Sequence, residues 1–155
     1  MELNTRGRYA VMAMADLAKF GGEAAVALPA IAERQKLPVA YLEQIFGQLR
    51  QARLVESVRG RSGGYKLARA ADAITVSEVM IAVEEATRMT RCSLGGSDGG
   101  CVGDERCITH GLWHALGSHI ESFLSRVTLA EVVDGHPARL LNNPPVRQVG
   151  GLAAE

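Results

Sequence analysis

The sequence predicts a mainly α-helical protein with one small β-hairpin and a long helix in its second half. Three amphipathic helical segments come first, two short alternating segments then flank a basic, glycine-rich turn, and a helical apolar stripe follows later. At 155 residues and 47% hydrophobic, the chain is long enough to bury one core without disulfides. Its three cysteines are therefore free for another purpose.

The first two helices follow from apolar spacing and from their stop signals. The segment "TRGRYAVMAMADLAKF" is stopped by Gly21-Gly22, and "LPAIAERQ" forms a second helix with Ile31 turned inward. Pro38 in the turn after it suits the start of the next helix. The inward positions predicted for the first helix are Tyr9, Met12, Ala13, Leu17 and Phe20.

The third helix, "VAYLEQIFGQLRQA", has an unambiguous core face. Its apolar side chains recur at i, i+3, i+4 and i+7, which places them on one side of a helix. These core positions are Leu42, Ile45, Phe46 and Leu49. The opposite side is polar and carries Tyr41, Glu43, Gln44, Gln48, Arg50 and Gln51.

A β-hairpin is expected directly after the third helix. "LVESV" from Leu54 alternates like a strand, "RGRSGG" from Arg59 is a basic turn, and "YKLA" from Tyr65 returns. Three helices followed by a hairpin form a winged helix-turn-helix, in which the third helix enters the major groove of DNA and the hairpin is the wing.

Charge and residue type favour DNA as the partner of this module. The first 70 residues carry 11 basic and 6 acidic side chains, whereas the remaining 85 carry 6 and 11. Glu43 can accept from a cytosine amino group, and Gln44 can read an adenine edge. A solvated helix face, or a winged helix that binds protein, is the alternative. The predicted DNA-binding residues are Arg6, Arg8 (both ahead of the first helix), Tyr41, Glu43, Gln44, Arg50, Arg59, Gly60 and Arg61.

Two capping boxes organise the second half. Thr75 with Glu78 begins a helix that packs on the winged module, and Thr128 with Glu131 begins a short terminal helix. Between them, "ITHGLWHALGSHIESFLSRV" predicts a long helix with an apolar stripe, either for dimerisation or for packing on its own module. The predicted dimerisation residues are Leu112, Trp113, Leu116, Ile120, Phe123, Leu124 and Val127.

All three cysteines lie in one glycine-rich segment that ends in a histidine. The spacing is Cys92-x8-Cys101-x5-Cys107-x2-His110, and three thiolates with an imidazole complete the ligand set of a metal centre. A [2Fe-2S] cluster suits this wide spacing, whereas structural zinc sites usually use close C-x2-C pairs. Zinc, a free-thiol redox switch and a nucleophilic pair of Cys107 with His110 stay open as alternatives.

The expected location is the reducing cytoplasm. The cysteine number is odd, Met1 is followed at once by the polar segment "ELNTRGR", and no apolar run approaches the length of a membrane span. Nor does the sequence present a triad or a substrate-binding motif, so we expect a protein that is not an enzyme.

Several motifs in order resemble the IscR family, bacterial winged-helix transcription factors that regulate iron-sulfur cluster assembly. The motifs are "GRYAVMAMADLA", "IAERQ", "YLEQIFGQLR", "LVESVRG" with "GGYKLA", and a C-x2-H followed by "LW", and the likeness covers residues 1 to about 134. The resemblance implies a homodimer with one [2Fe-2S] cluster per subunit, received from the iron-sulfur assembly machinery. It assigns the ligands to Cys92, Cys101, Cys107 and His110.

The sequence patterns divide the chain into five parts, and the resemblance implies how they work. A winged module at 1–72 is followed by a packing helix at 73–90, a cluster-binding loop at 91–110, dimerisation and terminal helices at 107–134, and a flexible tail at 135–155. Operator DNA is bound through Tyr41, Glu43, Gln44 and Arg59, with cluster occupancy selecting the operator. Two departures are a wing that reads Gly60-Arg61-Ser62 and a longer spacing between the first two cysteines.

Overall fold

A computed structural model describes residues 5–22, 24–84 and 106–135. It confirms the predicted class, mainly helical with one two-stranded antiparallel hairpin. In chain order the elements are α1 (Thr5–Phe20), α2 (Leu28–Gln35), α3 (Val39–Gln51), β1 (Val55–Val58), β2 (Gly64–Leu67), α4 (Val76–Ala82), α5 (His110–Leu124) and α6 (Leu129–Val133). Within the described ranges no helix is long and apolar enough to cross a membrane.

The core face of α1 differs from the predicted one. Ala13 and Leu17 are buried as expected, but Met14 is buried in place of Met12, and Phe20 is 52% exposed. The buried apolar side chains fall at i, i+3, i+4 and i+7 from Ala10, the spacing of a single helical stripe. Phe20 lies beyond this stripe, and the Arg34 guanidinium is 4.6 Å from the centre of its ring.

The hairpin is joined to the core through a third short segment. Val26 donates its N–H to the Tyr65 carbonyl at 2.8 Å, and the Tyr65 N–H returns to the Val26 carbonyl at 2.9 Å. A Cβ at Gly64 would lie 2.3 Å from the Val26 carbonyl oxygen, so glycine is required where the two backbones meet. The Tyr65 ring also packs on Phe46, with ring centres 4.8 Å apart. The base of the wing is thus held by α3 and by the segment before α2.

Both predicted capping boxes are present, and they lie side by side. In each box the threonine side chain accepts from the glutamate backbone N–H, and the glutamate accepts from the threonine N–H. Thr75 and Thr128 also form an antiparallel bridge, with the Val76 N–H donating to the Val127 carbonyl at 2.8 Å. The chain entering α4 is therefore hydrogen-bonded to the chain entering α6.

Helix α4 is shorter than the predicted packing segment at 73–90. It ends at Ala82, and Glu84 adopts a left-handed φ of 58°, while residues 85–90 lie outside the described part of the chain. Its predicted inward residues, Val76, Val79, Met80 and Val83, are all buried. The helix therefore packs on the winged module as expected, but over seven residues.

The Glu78 carboxylate does more than cap α4. It accepts the Thr75 N–H at 2.8 Å and an N–H of Arg69 at 2.8 Å. The Thr75 backbone hydrogen bond, followed by the Arg69 side chain, lowers the pKa of Glu78 below its usual range. The capping carboxylate thus also holds the chain that leaves the hairpin against the start of α4.

Val127 lies inside the subunit, which corrects its assignment to the dimerisation stripe. Its side chain is 2% exposed and clusters with Val76 and Met80. Phe123 and Leu124, at the end of α5, are partly buried against the same cluster. This end of the long helix packs on its own module, where the chain that follows it is hydrogen-bonded to the start of α4 through the bridge between Thr75 and Thr128.

A buried carboxylate ties α1 to α2. The Asp16 side chain has no exposed surface, and it accepts from Arg34 Nε at 3.0 Å, from Arg34 Nη2 at 2.6 Å and from Gln35 Nε2 at 2.7 Å. The hydrogen bond to Asp16 raises the pKa of Arg34 further above its usual value. Every oxygen of the buried group is thereby paired, as burial of a charge requires.

Removing either partner of this pair should have unequal effects. Arg34→Met leaves the Asp16 carboxylate buried with Gln35 alone and should lower the free energy of unfolding by about 3 kcal/mol or more. Asp16→Asn leaves a guanidinium that is 33% exposed and reaches water, so the expected loss is about 1 to 2 kcal/mol. Urea denaturation measures both. The exposed pair of Lys66 and Glu56 is the control, and Lys66→Ala should cost under about 1 kcal/mol.

Candidate nucleic-acid interface and metal-ligand segment

Helix α3 presents its polar side to solvent from a fixed position. Its four predicted core residues are all exposed by 1% or less. On the opposite side Glu43, Gln44 and Arg50 are exposed. Because the apolar side locks the rotation of the helix, these three side chains face outward together.

Tyr41 is held differently from the other predicted contacts. Its ring meets the Tyr9 ring edge-on, with the centres 5.8 Å apart and the planes at 87°. The residue is half-buried and packs against the main core. Edge-to-face pairs of this kind stabilise helix packing. Tyr41 therefore fixes the start of α3 against α1, a role that the sequence did not indicate.

The wing is basic and open. Arg59, Gly60 and Arg61 are all exposed, and Gly60 adopts a φ of 119°, where a side chain would be strained. The turn is closed by the Gly63 N–H, which donates to the Gly60 carbonyl at 3.0 Å. Among the residues that the structure describes, neither arginine forms an ion pair. Both guanidinium groups are free of competing carboxylates there.

Arg6 and Arg8 lie within the first turn of α1 rather than ahead of it. Arg8 is exposed, and Arg6 is half-buried. Thr5 begins the helix, so both arginines sit at its amino-terminal end. This position leaves Arg8 available to a polyanion.

Two of the four predicted metal ligands are described, and they lie together. Cys107 lies three residues before α5, His110 begins the helix, and the His110 N–H donates to the Cys107 carbonyl at 2.9 Å. Cys107 is half-buried, and its Sγ is 3.5 Å from Thr109 Oγ1. Cys92 and Cys101 lie outside the described residues. The described part of the chain accordingly contains no group of three ligands.

The donor chemistry of this pair fits an iron or zinc centre. A thiol and an imidazole one helical turn apart are soft and borderline donors, the types that both metals accept. The amino-terminal end of α5 adds a favourable field for a thiolate. The His114 ring stacks on His110, with centres 6.2 Å apart and the planes at 24°.

Helix α5 leaves large apolar side chains uncovered. None of its residues is buried in the subunit. Leu112 is 61% exposed, Trp113 is 38% exposed, and Ile108 just before the helix is fully exposed. Leu116 and Ile120 continue this stripe as half-buried residues. Contiguous apolar side chains of this size usually mark a protein contact.

The helix-turn-helix, the wing and the exposed polar side of α3 define a winged-helix DNA-binding regulator. The model of the Rrf2 family, described as an iron-dependent transcriptional regulator, matches residues 3–135. The chain belongs to the Rrf2 family of transcriptional regulators.

Relatives named IscR bear out the family resemblance. The chain is 50% identical over 134 residues to the regulator IscR of Erwinia tasmaniensis, covering 86% of this chain and 79% of that protein. It is 48% identical over 159 residues to IscR of Yersinia enterocolitica, covering 100% and 95% of the two chains.

Two solved structures share the fold. T. potens IscR superimposes with a TM-score of 0.70 at 38% identity, covering 87% of this chain and 88% of that one. CymR, the global cysteine regulator of B. subtilis, superimposes with a TM-score of 0.73 at 32% identity, covering 87% of this chain and 98% of that one. The predicted fold class and the resemblance to the IscR family are therefore both confirmed.

Proposed function

We propose that this protein regulates the genes of iron-sulfur cluster assembly as a homodimer, with its choice of operator set by occupancy of a [2Fe-2S] cluster. The observation that carries the proposal is the position of Cys107 and His110. They stand together at the start of a helix whose apolar stripe is uncovered. Iron dependence in the family and relatives named IscR support it. No catalytic step is part of this function.

The ligands of the cluster would be Cys92, Cys101, Cys107 and His110, one cluster per subunit, delivered by the assembly machinery in the cytoplasm. When bound, the cluster supplies a redox-sensitive group whose presence reports iron and sulfur supply. The protein's part is to offer the Cys107 thiolate three residues before α5 and the His110 imidazole at the first residue of α5. Zinc bound by the same four side chains is the competing possibility. Iron, sulfide and zinc analysis of the purified protein distinguishes the two.

The link from ligands to DNA would run through the chain between α4 and α5. Helix α4 packs on the winged module, and α5 begins at His110. With all four ligands engaged, the segment joining these helices is tied to the start of α5, and the angle between the two winged modules of a dimer is fixed. A two-fold protein reads two half-sites, so this angle sets the fit to a given operator.

Operator contacts would come from the exposed side of α3 and from the wing. Glu43 and Gln44 face the major groove, while Tyr41 and Arg50 lie at the two ends of the same helix. Arg59, Gly60 and Arg61 reach a neighbouring groove, and Arg6 and Arg8 meet phosphates. Exposure of Glu43, Gln44, Arg50 and the wing residues supports this assignment.

Dimerisation would use the uncovered part of α5. Leu112 and Trp113, with Leu116 and Ile120, form a stripe that the subunit itself does not bury. Phe123 and Leu124 extend the stripe while also packing on α4, and Val127 is excluded as a core residue. A second copy of the same stripe would cover these residues in a two-fold interface.

A charge in this stripe should separate the subunits. Leu112→Asp places an unpaired carboxylate in the proposed interface, so we expect a monomer at micromolar concentration by analytical ultracentrifugation. Ser122→Asp, at an exposed position away from the stripe, is the matched control and should stay dimeric. A dimer of unchanged stability in the Leu112→Asp variant would place the interface elsewhere.

Metal analysis tests the cofactor directly. Protein purified without oxygen should be red-brown, with about two irons and two sulfides per chain, and His110→Ala should alter the visible spectrum. His119→Ala, at an exposed position further along α5, is the control for loss of an imidazole. A colourless protein with about one zinc per chain would replace the switch by a structural staple and leave DNA binding in place.

Glu43 is the proposed selectivity device. A carboxylate in the major groove repels phosphates and rejects base edges that offer acceptors alone, so it should penalise some operators. Glu43→Ala should therefore broaden operator choice in the apoprotein, measured by gel shift across a set of operator variants. Glu56→Ala, also exposed but on the hairpin, should leave discrimination unchanged. Equal discrimination by the Glu43→Ala variant and the wild type would refute this role.

A further inference from the structure

A recess lies between the carboxy-terminal end of α3 and strand β1 of the wing. Its volume is about 470 Å³, and it opens to solvent. Arg50 and Arg53 line it on the helix side, and Glu56 and Ser57 line it on the β1 side. Arg50 is among the predicted DNA contacts, whereas Arg53 is not.

Arg53 occupies a backbone position that normally favours glycine. Its φ is 58°, and the Leu54 N–H donates to the Leu49 carbonyl while the Arg53 N–H donates to the Arg50 carbonyl, both at 3.0 Å. This pair of bonds is the Schellman motif, in which the left-handed residue is usually glycine. An arginine here is not needed to end the helix. Its side chain can therefore be removed while the turn is kept.

The charges around the recess are unequal. Arg50 and Arg53 are both exposed, and within the described residues neither forms an ion pair. The one carboxylate that lines the recess, Glu56, is 3.3 Å from Lys66 on the neighbouring strand. Two guanidinium groups and the Ser57 hydroxyl are thus left to donate. This donor set suits an oxygen-rich monoanion such as a phosphodiester.

The place of the recess identifies the source of that anion. In a winged helix α3 enters the major groove and the wing reaches a neighbouring groove, so the sugar-phosphate strand between the two grooves crosses the surface that separates α3 from the hairpin. The recess occupies this surface. On one side it borders Arg50, which lies on the exposed side of α3. On the other side it borders β1, which runs into the wing turn that carries Arg59 and Arg61.

We propose that the recess is a phosphate site for the operator backbone and that Arg53 is its anchor, with Arg50 and Ser57 beside it. The inference rests on the proposed DNA binding. It adds a contact between Arg53 and a backbone phosphate, which positions the protein on the duplex without reading the base sequence. Removing the Arg53 side chain should therefore weaken binding to all operators alike.

Arg53→Gly and Arg53→Lys test this assignment in the full-length protein. Arg53→Gly suits the left-handed backbone, so its melting temperature should equal or exceed that of the wild type. Its affinity should fall by a similar factor for a strong operator, a weak operator and unrelated duplex. The slope of log K against log salt should flatten by about 0.9 for each phosphate that the variant no longer neutralises. Arg53→Lys should recover most of the slope, because the charge is kept.

Two further variants separate charge from conformation. Lys36→Gly changes a lysine at another left-handed helix end, with φ 55°, and shows what glycine does to stability at such a position. Arg126→Gln removes an exposed charge after α5, away from α3 and the hairpin, and should leave the salt slope unchanged.

The outcomes are distinct for this inference and for the proposed function. A stable Arg53→Gly variant with wild-type affinity and salt slope overturns the phosphate site while leaving operator binding intact. A weakening confined to one operator sequence also overturns it, because base reading would then be the cause. Wild-type protein that binds no duplex would instead remove the proposed function on which the site depends.

Discussion

The structure depends on how α1 is held, because α1 packs against α2, α3, α4, α6 and β2. Most of that packing is apolar and tolerates small sliding movements. The Asp16 carboxylate is different, since Arg34 and Gln35 bind it from a defined direction. Buried polar bonds of this kind fix the register between elements more strictly than apolar packing does. The Asp16 side chain of α1 therefore fixes the angle of α2, and through α2 it fixes the placement of α3.

This arrangement separates the rigid parts of the molecule from its contact surfaces. The winged module has a continuous core in which Phe46 is the largest fully buried side chain, and it presents its polar side chains from α3 and the hairpin. Helix α5 is anchored at its carboxy-terminal end and uncovered near Leu112. The proposed DNA contacts on α3 and the hairpin thus lie on different elements from the proposed dimer stripe and the described metal ligands, which lie on α5 or just before it.

Local patterns predict most of the fold and less of its tertiary contacts. The stripe of α3, the hairpin and both capping boxes are set by neighbours in sequence, so spacing alone identifies them. The predicted face of α1 is wrong in part because Met12 and Phe20 are as apolar as the residues that are buried. The prediction for Val127 is wrong because nothing local indicates its bridge to α4. The Asp16 pair joins two helices, and its one sequence signal is an acidic residue between Ala13 and Leu17.

The bridge between Thr75 and Thr128 bears on how this region can evolve. It brings together the two ends of the segment that contains α4, the proposed metal ligands and α5, so this segment is closed at its base. The entropy of closing a flexible loop rises slowly with length, by about 0.6 kcal/mol for each doubling. Insertions between the proposed ligands should consequently change the free energy of folding of the module only slightly. Cys92 and Cys101 both lie within this closed segment, so a longer spacing between these two proposed ligands is a change that the chain can accept without disturbing its DNA-binding half.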